Sequence, residues 1–283
     1  MSDEQIPVVR EVGQGTAKLM PDVDRERAWL LTVDGGAAVV RRPRRARAPG
    51  VRVRTPASRT SWTARRSRGA ALDLLHLGGG ALTLPRYAAA VRPGSRQDVV
   101  EFDAALVELV EQHLPLAAGA RVTVHAADAR AWLEAAPEAS ADVLVADVFG
   151  GSRVPAQLTS VEYARQAARV LRPGGLYAAN LADGAPFGFL KAQLANFAAA
   201  FAELALIAEP GVLRGRRFGN AVLLASDAPL PLAALARRCA ADAFPARVES
   251  GEGLARFMRG ARPVADADAV SSPAPPEGAF SLG

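Results

Sequence analysis

From Leu72 onward the chain repeats one pattern: a short apolar run, a turn marked by Gly, Asp or Pro, then an amphipathic stretch of two to three turns. Runs of buried-strand length alternating with segments of helical period are the signature of βαβ units, which need a parallel sheet covered by helices on both faces. Strands are predicted at 72–77, 98–102, 121–125, 143–148 and 176–181. Helices are predicted at 82–91, 104–113, 129–136, 160–171 and 187–201, the fourth closed by Arg172-Pro173-Gly174-Gly175. Residues 204–208 and 220–225 read as an antiparallel pair at the sheet edge, joined by the basic turn L-R-G-R-R-F-G, and 232–241 as a last helix. The predicted fold class is α/β, a mostly parallel seven-stranded Rossmann-like sheet in a domain spanning 72–260.

The ends are read differently. Residues 1–35 form a short N-terminal β element, with strands at 15–19 and 28–33 joined by P-D-V-D-R-E-R. Residues 36–71 hold neither a period of 2 nor one of 3.6 and read as an irregular Arg-rich segment. The tail at 261–283, rich in Pro, Ala, Ser and Asp, has too little apolar content to fold and is expected to be disordered.

Composition excludes several classes. The 283 residues are 50% hydrophobic, enough for a sizeable core, yet no apolar run approaches the roughly 20 residues of a membrane span. The start lacks the basic-then-apolar order of a signal peptide, so a cytoplasmic protein without membrane association is expected. Cys239 is the single cysteine and His76, His113 and His125 are widely spaced, so neither a disulfide framework nor a metal site is expected. The net charge of +5 is unevenly spread: residues 35–72 carry 11 arginines with no lysine and no carboxylate, leaving 23 basic against 29 acidic side chains in the rest.

Four features fall at the carboxyl ends of successive predicted strands, where open α/β sheets bind ligands. Gly78, Gly79 and Gly80 lie between strand and helix, where glycine lets backbone approach a ligand or simply makes a tight turn. Glu101 follows about 21 residues on, placed to accept two ribose hydroxyls or to remain a solvated loop acid. Asp128-Ala129 precedes a helix, where the Asp bonds an adenine amino group or caps the helix. Asp147 leaves the apolar run V-L-V-A-D-V-F, either as a base or amine ligand or as a turn former. His76 reads as a strand-end residue, Trp29 and Trp132 as core, and Arg214, Arg216 and Arg217 as a solvated tip.

These segments, L-L-H-L-G-G-G-A-L-T-L-P-R-Y, V-V-E-F-D-A-A-L-V-E-L-V, A-A-D-A-R-A-W-L and V-L-V-A-D-V-F-G-G-S through L-R-P-G-G-L-Y-A-A-N-L-A-D, resemble the spermidine synthase-like (aminopropyltransferase) branch of the class I methyltransferase fold. The resemblance covers about 72–225. It implies that the glycine turn holds the methionine-derived part of decarboxylated S-adenosylmethionine, that Glu101 binds ribose and Asp128-Ala129 adenine, and that Asp147 deprotonates an attacking amine. Small-molecule amines become the expected partners, a homodimer the assembly such enzymes commonly adopt, and nucleic acid is not expected. One departure matters: the family's second Asp, followed by Pro and used to hold a diamine, is absent from Asp147-Val148-Phe149-Gly150-Gly151-Ser152. An S-adenosylmethionine-dependent methyltransferase and a catalytically impaired nucleotide binder therefore stand as alternatives.

The Arg-rich segment fits a displaced reading frame. The family carries D-G-x-x-Q followed by acids and tyrosines in this region, and after Asp34-Gly35 that pattern stops. The family-like string V-P-Q-S-Y-V-D-L-D-E-P-E-H-L-E-F-E-Y-V, encoded with G/C-ending codons and read after one inserted G, translates as residues 36–54 without a mismatch. GAC and GAG read one base out give CGA, which turns acids into arginines. A sequencing error or a genuine lesion over 36–70 is the hypothesis; a nucleic-acid-binding arm is the competing reading, supported electrostatically by the same arginines. Uninterrupted reads of the locus in the present frame would remove the error reading, and a salt-dependent shift assay lost on deletion of 36–70 would favour the arm.

Overall fold

The computed structural model describes residues 7–21, 28–33, 36–41 and 70–276. Most of the displaced-frame and Arg-rich reading, at 42–69, lies outside the described residues.

Four strands, β1 (Val8–Val12), β2 (Gly15–Pro21), β3 (Ala28–Val33) and β4 (Gly36–Arg41), form an antiparallel sheet in sequential order. The expected pair is its middle. β1 and β4 were not expected, and among the described residues β4 turns the start of the predicted irregular segment into an edge strand paired with β3. Ala17, Leu19 and Leu31 alternate inward, as a half-buried sheet requires, and pack with Leu106, Leu109 and Val110 of the large domain.

The large domain runs β5 (Asp73–Leu77), α1 (Thr83–Val91), β6 (Arg96–Glu101), α2 (Ala104–His113), β7 (Arg121–Ala126), α3 (Ala129–Ala135), β8 (Ala141–Ala146), α4 (Val161–Val170), β9 (Leu171–Asp183), α5 (Gly188–Ala198), β10 (Glu203–Ala208), α6 (Pro210–Leu213), β11 (Gly219–Ser226), α7 (Leu232–Ala240), β12 (Arg247–Ser250) and α8 (Gly251–Phe257). Spatial order is β12-β10-β11-β9-β8-β5-β6-β7, with β5 to β9 parallel and β11 antiparallel to both neighbours. The sheet is eight-stranded rather than seven. The extra strand, β12, pairs antiparallel with β10 at the edge, and its sequence R-V-E-S is too short and polar to declare itself. Side chains of opposite parity build two cores, Leu144, Ala179, Leu181 and Leu223 on one face and Ala178, Val222 and Leu224 on the other.

Capping places several of the helix starts. Asp103, Ser160 and Asp128 each accept the N–H of the residue three ahead and begin α2, α4 and α3. Arg172-Pro173-Gly174-Gly175 is not a turn between elements: it lies within β9 as an irregularity where the register to β8 jumps from Ala141 opposite Leu171 to Val143 opposite Leu176. The basic connection between β10 and β11 contains the one-turn helix α6, and Arg214, Arg216 and Arg217 are exposed, Arg217 pairing with Glu209.

The tail departs furthest from expectation. Residues 261–276 run as a strap, interrupted by a 3-10 turn at Asp266–Asp268, across the segment that follows β8. Val161 N–H donates to Val264 O at 2.8 Å, Val264 N–H to Asn196 Oδ1 at 2.7 Å, and Thr159 Oγ1 to Val270 O at 2.9 Å. Ser272 is fully buried, exchanging bonds with Val154 through its Oγ (2.9 Å) and its N–H (3.0 Å). The strap is held by hydrogen bonds to buried partners rather than by apolar area, which is why composition hid it. No helix among the described residues is long and apolar enough to cross a membrane.

Candidate active site

Five parallel strands end along one edge, and the predicted residues emerge there. Gly78 adopts φ +86° and Gly80 φ +46°, conformations that glycine reaches freely. Gly78 N–H donates to Val100 O and Asp147 N–H to Leu77 O, both at 2.8 Å, so the turn is stitched between β6 and the end of β8. A Cβ on Gly78 would stand 2.2 Å from the carbonyl oxygen of Asp147. Gly78→Ala should therefore destabilise the fold by about 2–4 kcal/mol through positive-φ strain and forced displacement of backbone. Urea denaturation checks this; an unchanged midpoint would contradict the geometry.

Glu101 is buried against that turn, not a solvated loop acid. Its Oε2 accepts the N–H groups of Gly79 (2.8 Å) and Gly80 (2.9 Å), and its Oε1 that of Asp103 (3.1 Å), with 8% of the residue exposed. Ala127 N–H donates to Glu101 O at 3.1 Å, which draws the start of α3 alongside. Asp128 caps α3, its Oδ1 accepting from Ala131 N–H at 2.9 Å; Ala129 is buried behind it. Gly78, Gly79, Gly80, Glu101 and Asp147 are thus brought together by direct contacts, with Asp128 and Ala129 at the next strand end.

Asp147 lies one residue beyond β8, partly buried. Desolvation pushes its carboxyl above the usual range, opposed by a hydrogen bond from Asn180 Nδ2 at 2.9 Å. His76, buried on β5 and bonded to Gln97, is pushed down to about 4 by burial and is neutral at physiological pH, in keeping with a strand-end role. Asp183, at the end of β9, accepts the N–H of Gly184 and that of Leu190 in the first turn of α5, whose N-cap residue is Phe187. It lines a separate cavity of about 720 Å³ with Phe189, Arg217, Phe218 and Val264, which Asp147 and Glu101 do not line. Among the described residues no cluster of three or more His, Cys, Asp or Glu is placed to hold a metal.

Three neighbours escaped the sequence reading. Phe102, 72% exposed between two buried acids, presents an aromatic face beside Glu101. Gln14, at the tip of the β1–β2 hairpin, donates its N–H to Asp103 Oδ2 (3.0 Å) and accepts from Gly151 N–H (3.2 Å), so the small sheet reaches across the crevice. Asn180 stands in the otherwise apolar run Y-A-A-N-L-A-D, and a lone amide near the end of a buried strand was the available signal.

The architecture matches a probable spermidine synthase from Corynebacterium glutamicum ATCC 13032 over 96% of this chain and all of that one, with a TM-score of 0.83 and 30% identity. The chain belongs to the spermidine synthase-like family. No protein-family model matches it. A spermidine synthase solved in complex with the transition-state analogue AdoDATO shares the fold at a TM-score of 0.54 and 13% identity, over 89% of this chain and 85% of that one. A polyamine aminopropyltransferase of Vibrio vulnificus (strain CMCP6) is 28% identical over 109 residues, 38% of this chain; the match spans about a third, 36%, of that relative's length. In the short stretch after Asp147, where the resemblance implies a second carboxylate, this chain carries Gly150 and Gly151.

Proposed function

We propose that this protein is a cytoplasmic small-molecule transferase that binds an adenosyl sulfonium nucleotide, decarboxylated S-adenosylmethionine or S-adenosylmethionine, and, with the decarboxylated form as donor, moves the aminopropyl group to an amine. The observation that carries the reading is the joint placement of the Gly78–Gly80 turn, Glu101 and Asp147 on three neighbouring parallel strands. Glu101 would take the ribose hydroxyls, Phe102 and Asp128-Ala129 the adenine, and the turn the chain beyond sulfur. The relative bound to AdoDATO supports an adenosyl ligand, and the match to the Vibrio enzyme supports aminopropyl transfer. A homodimer is the proposed assembly.

The chemistry is a direct displacement. The neutral amine nitrogen attacks the carbon bonded to sulfur, the C–S bond breaks, and its electron pair leaves the sulfur as a neutral thioether. The nitrogen is neutral because Asp147 has first taken one proton from the arriving ammonium, and the secondary amine formed by the attack leaves as an ammonium. Orientation of nucleophile and sulfonium supplies up to about 7–11 kcal/mol of the barrier and a positioned base about 10²–10⁴-fold in rate.

Methyl transfer is the second reading, favoured by the absence of a second acid after Asp147, which leaves a dicationic acceptor short of anionic partners. The deciding experiment is a thermal-shift panel on the full chain with S-adenosylmethionine, its decarboxylated form, methylthioadenosine and NAD. At ligand concentrations near 100 Kd, about 2.7 kcal/mol of stabilisation raises Tm by roughly 5–10 °C. Glu101→Gln should shrink that rise. A response to NAD alone would overturn the proposal, and radiolabel placed in the methyl or the aminopropyl group distinguishes the two transfers.

A further inference from the structure

Among the described residues the Asp147 carboxyl has one side-chain partner, and that partner is itself held. Asn180 Nδ2 donates to Asp147 Oδ1 at 2.9 Å, and Asn220 Nδ2 donates to Asn180 Oδ1 at 3.2 Å. On the antiparallel β9–β11 ladder Asn180 faces Val222 and Asn220 faces Ala182, so the two amides lie diagonally on one face of the sheet, level with the carboxyl end of β8. A carboxamide is two-ended: turned over, Asn180 would aim an oxygen at the carboxylate and repel it. Asn220 removes that choice, because its N–H occupies the Asn180 oxygen and commits the Asn180 nitrogen to Asp147.

We propose that Asn180 and Asn220 are positioning residues that fix one oxygen of Asp147 and leave the other to take the acceptor's proton. The inference rests on Asp147 being the base. It also assigns the amides an electrostatic role, since Asn180 is the described group that favours the ionised carboxyl against its desolvation. Other titratable groups on the elements around it are engaged elsewhere: His76 on β5 with Gln97, Glu101 after β6 with the glycine turn, and Arg153 in the following loop with the Ser271 and Ser272 carbonyls. Without the Asn180 bond, desolvation acts unopposed. Asp147 then ionises at higher pH, and a base that works only when ionised loses activity on the acid side first.

The test is a carboxyl titration by ¹³C NMR on aspartate-labelled full chain, with Asp147→Asn identifying the signal, for Asn180→Ala, Asn220→Ala and the double variant. In Asn180→Ala the Asp147 midpoint should move up by about one pH unit, with a smaller shift in Asn220→Ala. The double variant should match Asn180→Ala, because Asn220 acts through Asn180. The acid limb of the kcat/KM profile should move by the same amount, while the thermal response to adenosyl nucleotide stays as in the parent chain. An unchanged midpoint in Asn180→Ala, or in Asn220→Ala should the first variant fail to fold, would overturn the relay; so would additive shifts in the double variant. A shifted midpoint with an unmoved acid limb of the kcat/KM profile would leave the relay standing and remove the reading of Asp147 as the base.

Discussion

Replacing residues 36–54 by V-P-Q-S-Y-V-D-L-D-E-P-E-H-L-E-F-E-Y-V should raise transfer to an amine by about 100-fold or more over the present chain, the scale on which binding and orienting groups act. The replacement removes seven arginines and restores a Gln, two Tyr and six acids in the region where the resemblance places cofactor and amine contacts. An acceptor that reacts as a neutral amine but arrives as a cation needs anionic partners to bind, and Asp147 alone must both hold it and deprotonate it. The small sheet accommodates the change: among the described residues β4 is an edge strand beside β3, and an edge tolerates proline where its nitrogen faces outward. Initial rates with a diamine and the decarboxylated nucleotide give the result. Equal, strong turnover in the present chain would refute a genuine lesion and return the arginines to consideration as a functional arm.

The second large effect belongs to Asp147. Asp147→Asn in the restored chain should lower transfer by about 10³-fold while adenosyl nucleotide binding is kept, since the amide copies the shape of the carboxyl but cannot accept the proton. Stability should move in the opposite direction. Burial raises the folded-state carboxyl above its unfolded value, so the folded state favours the neutral form. The stability this group contributes is greatest in acid and is lost as pH rises through its folded range, so at neutral pH the ionised group weighs against folding. The Asn variant should therefore melt higher than the parent at pH 7, with the difference shrinking toward pH 4. Rates measured beside melting curves check both halves; a variant that keeps its transfer rate would dismiss Asp147 as the base.

The legible parts of the structure are those with strong local signals. α2 begins and ends where its periodicity places it, and strands β5 to β8 follow from apolar runs that end in Gly or an acid. Glu101 was legible as a position. Its local bonding was not, because a carboxylate that accepts three backbone N–H groups from two turns is a product of folding rather than of spacing. Asn180 and Asn220 are far apart in sequence and acquire meaning only when β9 and β11 pair. β12 and the strap were hidden for a related reason: a four-residue strand with three polar side chains and a Pro-rich tail owe their order to partners elsewhere.

Gln14 and Ser272, from near opposite ends of the described chain, both fasten the loop that follows Asp147, one at Gly151 and the other at Val154. Arg130, two residues beyond Asp128, grips Asp266 of the same strap through two nitrogens. That loop is consequently the last part of the crevice to be finished during synthesis. A polypeptide interrupted near residue 260 would already own every strand of the sheet and both acids at its edge, yet the loop would lack half of its fastenings. Fusions at the carboxyl end therefore deserve a spacer beyond the strap.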